Sequence, residues 1–81
     1  MALTEEEKQK RKLEYLFAEI ANKLNVDNMQ INQYYKDYLN LIKDLGVDFV
    51  DQSFIKYCIK RKGTKSQEKV DKQMRKQLLE L

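Results

Sequence analysis

The sequence predicts a small all-α domain in which four helices share one core. Three observations carry that expectation. Proline is absent and glycine occurs twice in 81 residues, so little in the chain interrupts a helix. Apolar residues recur at the i, i+3, i+4, i+7 spacing that lines one helix face. Residues that start helices and residues that stop them fall between those stripes, which places the helices near 5–24, 28–45, 49–62 and 65–80. A chain of this length holds one domain, near the lower end of what buries a self-sufficient core.

The first helix starts cleanly. Thr4 supplies a hydroxyl cap, Glu7 is spaced to close a capping box, and Glu5, Glu6 and Glu7 sit at the positive end of the macrodipole. Lys8 to Lys12 are polar, and the stripe begins only at Leu13, continuing through Leu16, Phe17, Ile20 and Leu24. The charged first half is therefore expected to project beyond the core. Asn25-Val26-Asp27 then interrupts. Asn25 tolerates the left-handed conformation of a tight turn. Asp27 suits the next N-cap, with Gln30 spaced to complete the box and Val26 placed to staple against Ile31.

The second stripe holds Ile31, Tyr34, Tyr35, Tyr38, Leu41, Ile42 and Leu45, and Gly46 ends it as a left-handed cap. The three tyrosines read as core and hydrogen-bonded rim. For the third helix, Asp48 or Asp51 is the expected cap, Phe49 and Val50 lead in, and Phe54, Ile55, Tyr57, Cys58 and Ile59 precede the stop at Gly63. Thr64 or Ser66 starts the last helix. Its narrow stripe of Val70, Met74, Leu78 and Leu81 either lies on the other helices, the preferred expectation, or pairs with a second copy as a short coiled coil. KLNVD and DLGVD recur about twenty residues apart; the residues after them do not stay in register, so this reads as reused turn chemistry.

Composition excludes several function classes. There is no His, and the single Cys has no thiol to pair with and no metal-site company. No Ser or Cys has a partner that would activate it, so no catalytic constellation stands out. Neither a cofactor site nor an enzyme is expected. No apolar run spans a bilayer and no signal-peptide core is present, so the expected location is intracellular and cytoplasmic, away from membranes. Charge is unevenly spread. Residues 51–81 carry nine bases and four acids, whereas residues 25–50 carry two bases and four acids. A basic C-terminal third points to an anionic partner, nucleic acid first.

Residues 17–36, FAEIANKLNVDNMQINQYYK, resemble the helix-turn-helix of phage-repressor-type DNA-binding proteins. Ala21 stands where that family places a small residue at the helix crossing. Ile20, Leu24, Val26, Ile31 and Tyr34 match the apolar residues that close the angle, and Asn25 replaces the usual turn glycine. The continuous first helix departs from the family, in which a separate short helix comes first, and leaves open what supplies the third wall of the core.

The resemblance implies a non-enzymatic protein that binds double-stranded DNA by placing residues 28–36 in the major groove. The size and the Lys/Asn/Ile-rich composition fit a small transcription regulator or accessory factor of a mobile element, expected to work as a homodimer. Asn28, Met29, Asn32, Gln33 and Lys36 would face outward. Asn and Gln bond adenine N6 and N7, and Met contacts a thymine methyl, so an A·T-rich site is expected. Lys36, Lys60, Arg61, Lys62 and Lys65 would hold phosphates, while Asp37 and Asp44 should face away from the duplex. The alternative is a small helical interaction module that receives a protein partner in an aromatic groove and uses the amphipathic C-terminal helix for docking.

Overall fold

The computed structural model describes residues 3–80 and contains four helices: α1 (Glu5–Leu24), α2 (Asn28–Leu45), α3 (Asp51–Gly63) and α4 (Gln67–Leu79). Leu81, expected at the end of the last stripe, lies outside the described residues. The first two helices begin and end where the sequence places them. α2 and α3 form the centre. α1 packs on both of them and α4 packs on both of them, but among the described residues the backbones of α1 and α4 do not come within 8 Å of each other, Cα to Cα. The third wall is therefore α3, which closes the angle between α1 and α2.

Capping chemistry sets most of the boundaries. Thr4 Oγ1 accepts from the Glu7 amide at 3.2 Å, and Asp27 Oδ1 accepts from the Gln30 amide at 2.8 Å. Ser66, not Thr64, caps α4 by accepting from Lys69 at 3.4 Å. Asn25 (φ 55°) and Gly46 (φ 69°) both adopt the left-handed conformation. In each turn the following valine donates its amide back to a carbonyl in the last helical turn, Val26 to Ala21 at 3.3 Å and Val47 to Ile42 at 3.1 Å. This is the six-to-one bond of a Schellman ending. The two similar pentapeptides thus build the same helix ending.

They diverge after it. Asp27 caps α2 at once, whereas neither Asp48 nor Asp51 caps α3. The N-cap is Val50, without a side-chain hydrogen bond, and α3 starts two residues later than expected, at Asp51. Phe49 explains the difference. Its ring lies 5.5–5.9 Å from the rings of Tyr35, Tyr38 and Phe54. Phe49 is half-buried against the core, so it gains part of the about 1.5–3 kcal/mol of a fully buried phenylalanine, and its three ring contacts add to that, against about 1 kcal/mol for a capping carboxylate. The aromatic contact wins, and the chain stays extended until Phe49 is in place.

The core is an aromatic cluster filled out with aliphatic residues. Phe54, Tyr38, Tyr57, Ile31, Val70, Met74 and Cys58 are fully enclosed, and Tyr34 is buried beside them. Phe17 meets Tyr35 edge-on at 5.1 Å, and Tyr38 lies 5.5 Å from both Phe54 and Tyr57. Tyr34, Tyr35 and Tyr38 accordingly belong to the core and its rim. The polar half of α1 is exposed from Glu5 to Lys12 and projects beyond the core. No described helix is long and apolar enough to cross a membrane.

Two buried tyrosines have opposite hydrogen-bonding states. Tyr57 donates to Asp71 Oδ1 at 2.8 Å. The Tyr38 hydroxyl, near Ser53 and the Val50 backbone, makes no well-formed hydrogen bond and is the one buried, unpartnered side-chain polar atom among the described residues. Burial raises both phenols above their ordinary value; for Tyr57 the hydrogen bond to Asp71 adds to that rise. Tyr38→Phe should therefore be neutral or stabilising by up to about 1 kcal/mol, whereas Tyr57→Phe should cost about 1–3 kcal/mol in urea unfolding. A larger loss at Tyr38 would show that its hydroxyl is satisfied in solution.

Cys58 is buried, and burial pushes its thiol from 9.0 up to about 12. The raised value means that its contribution to stability is intact below pH 9 and is lost as pH climbs toward 12. Iodoacetamide at pH 8 should leave the native protein unmodified and alkylate it in urea. Rapid native modification would contradict this burial.

Candidate nucleic-acid interface

Five of the nine predicted contact residues lie on one surface. Asn28, Met29, Asn32, Gln33 and Lys36 occur at i, i+1, i+4, i+5 and i+8 of α2, and all are exposed. Met29 is the extreme case at 83%. The opposite face of the same turns supplies Ile31, Tyr34 and Tyr38 to the core, so packing fixes which side of α2 looks outward. Two of the carboxamides are already oriented. Asn32 Nδ2 donates to the Asn28 carbonyl at 2.9 Å, and Gln33 Nε2 donates to Asp37 Oδ1 at 3.0 Å. Each NH₂ keeps a second hydrogen, and each side-chain oxygen still has its lone pairs for a base edge.

The four remaining cations do not form one cluster. Lys60 faces α4: its ammonium donates to Gln73 Oε1 at 3.4 Å, and it borders a groove with Lys56, Ile59, Gln77 and Glu80. Lys62 and Lys65 go the other way. They line a cleft of about 330 Å³ together with Val26, Gln30, Tyr34 and Arg61. The end of α3 and the α3–α4 connection are thus brought beside the turn before α2 and its first helical residues. Lys62 and Lys65 share this cleft with Gln30 and Tyr34 of α2 and with none of the five residues of the exposed face, and Lys60 lies apart from it.

Arg61 is largely spent inside the protein. Its Nη1 lies 2.6 Å from Asp37 Oδ2 and 3.0 Å from the Tyr57 hydroxyl oxygen. Its guanidinium stands 4.9 Å over the Tyr34 ring and 5.6 Å from that of Tyr57. The ion pair is nearly sealed, with the Arg61 side chain 11% exposed and that of Asp37 10%. Burial acts to lower the Arg61 pKa, but hydrogen bonds to Asp37 and Tyr57 outweigh it and hold the guanidinium above its ordinary value. Arg61 therefore differs from the freely exposed phosphate contact expected from sequence. Asp37 does not merely face away from the α2 surface: it is buried between α2 and α3, whereas Asp44 sits near Arg75 at 3.6 Å.

The sequence reading missed this polar network, which runs from Gln33 through Asp37, Arg61 and Tyr57 to Asp71. One signal for it was present. Asp37 falls at i+3 from Tyr34 and one residue before Tyr38, within the apolar stripe, where an ionised side chain needs a partner. Nothing local identified Arg61 as that partner, since the two are 24 residues apart. Gln30 and Tyr34, read as cap and core, also line the basic cleft.

A second concave surface separates α1 from α2. Leu13, Phe17, Ala18 and Tyr35 form its apolar floor, with Asn28 and Asn32 on the α2 side and Lys10 and Glu14 on the α1 side. Among the described residues, no group of three or more His, Cys, Asp or Glu side chains could hold a metal ion. Comparison with protein-family models, curated proteins and solved structures finds no match, so the functional reading rests on the geometry of the site.

Removing one partner of a nearly sealed ion pair leaves the other charge uncompensated, at a cost of about 3–5 kcal/mol. Arg61→Met should show a loss of that size in urea unfolding. The double variant Asp37→Leu, Arg61→Met should lose clearly less than the two single losses combined. Additive losses would show that the two side chains are uncoupled.

Proposed function

We propose that the chain is a non-enzymatic DNA-binding protein that presents the N-terminal half of α2 to the major groove. The observation that carries this reading is the exposed face of Asn28, Met29, Asn32, Gln33 and Lys36; Lys62 and Lys65, from a distant part of the chain, line a cleft with Gln30 of the same helix. Amides and a thioether on the face supply groups that discriminate A·T pairs. The two cleft lysines supply charge that orients without specifying sequence. An α2 face of this size reads a short half-site, so a homodimer on an A·T-rich site and a role as a small transcription regulator or mobile-element accessory factor complete the proposal.

The apolar groove between α1 and α2 favours a second reading, in which a partner helix lies along Leu13, Phe17, Ala18 and Tyr35. Asn28 and Asn32 border that groove as well as the α2 face, so one ligand would obstruct the other.

Salt dependence separates the two. Fluorescence anisotropy on a random-sequence duplex should show binding that weakens steeply as salt rises, with a log–log slope of about −0.9 for each phosphate neutralised. Absence of binding at low salt would turn the assignment to the protein-partner reading. On a selected site, Asn32→Ala should lose about 1–3 kcal/mol at one base position and leave random-sequence binding unchanged. An equal loss on every sequence would remove Asn32 from the base-reading set.

A further inference from the structure

The cleft beside the start of α2 is more specific than a patch of surface lysines. Its floor is Arg61, whose guanidinium is fixed by Asp37 and Tyr57 through Nη1 alone. Among the described residues Nε and Nη2 have no protein hydrogen-bond partner, and neither is sealed from solvent. An arginine held in this way has one edge anchored and three N–H donors left in a fixed plane. Its central carbon lies 4.9 Å over the ring of Tyr34, another lining residue. Asp37 balances the charge of Arg61, so Lys62 and Lys65 leave the cleft with two uncompensated positive charges. Gln30 adds an amide at the rim. A planar donor fork, two mobile ammonium groups and a neutral polar rim match the tetrahedral oxygens of a phosphate group.

We propose that the cleft formed by Gln30, Tyr34, Arg61, Lys62 and Lys65 is a phosphate-binding site, and that its ligand is a backbone phosphate of the DNA read by α2. The identification of the phosphate as DNA rests on the proposed function; the capacity to bind phosphate does not. Arg61 is the anchored donor, and Lys62 and Lys65 close over the anion. Lys60, turned toward α4, takes no part. A phosphate held here fixes the protein's register on the duplex, because the same cleft borders the Asn25–Asp27 turn that launches α2.

The test uses the full chain and two probes. In ¹H–¹⁵N spectra, inorganic phosphate should shift the Arg61 Nε resonance and the signals around Lys62 and Lys65, whereas chloride at equal ionic strength should not. Equal effects from the two ions would overturn the site. The second probe is a random-sequence duplex, with Lys62→Gln, Lys65→Gln as the variant; both positions are exposed, so the fold should persist. The variant should lose the phosphate-induced shift. It should also reduce the salt slope of DNA binding by about 2, so that the wild type loses about tenfold more affinity than the variant between roughly 50 and 200 mM salt. An unchanged slope would overturn the assignment of the ligand as DNA backbone. Phosphate-specific shifts in a protein that binds no duplex would leave the phosphate site standing and sink the DNA reading.

Discussion

The Asp37–Arg61 ion pair ties the architecture together. Asp37 comes from α2 and Arg61 from α3, and through Tyr57 the same hydrogen-bonded chain reaches Asp71 on α4. Burying charge is costly unless partners are close and the remaining donors and acceptors are used. Here one carboxylate oxygen accepts from Arg61 and the other from Gln33. An apolar substitute could fill the same volume, but it would not specify how α3 is rotated against α2. That rotation determines which side of α3 ends toward α4, with Lys60, and which ends toward the start of α2, with Lys62.

The aromatic cluster does complementary work. Tyr35, Tyr38, Phe49 and Phe54 meet edge-on or tilted, an arrangement in which ring edges approach neighbouring ring faces favourably. Phe49 is drawn into this cluster from outside any helix, which delays α3. The network and the cluster lie on the same pair of helices, so polar specification and apolar adhesion act on one interface.

Legibility from sequence followed the range of the interaction. Thr4, Asn25, Asp27 and Gly46 act on residues within five positions of themselves, and the helix limits they control were readable; Ser66 was one of two candidate caps, and α4 begins two residues later than expected. Asp48 misled because its local capping preference competed with burial of Phe49, which depends on residues in α2. The exposed α2 face was readable from periodicity, since Ile31, Tyr34 and Tyr38 define its opposite side. The separation of Lys60 from Lys62 and Lys65 was not, because a basic run carries no information about the helices that later enclose it. Arg61 looked like its neighbours until Asp37, Tyr34 and Tyr57 surrounded it.

The separation of the α1 and α4 backbones among the described residues bears on how the chain reaches this state. Every described helix packs on its neighbour in sequence or on the next one along, and the two outer helices have no close backbone approach. Loop closure therefore never needs to bring distant ends together before favourable packing begins. Helical domains with such short-range connectivity fold in roughly microseconds to milliseconds. The α1–α2–α3 unit holds the aromatic cluster and the Asp37–Arg61 pair, while α4 adds Val70, Met74 and Leu78 to the core and reaches the polar network through Asp71 alone.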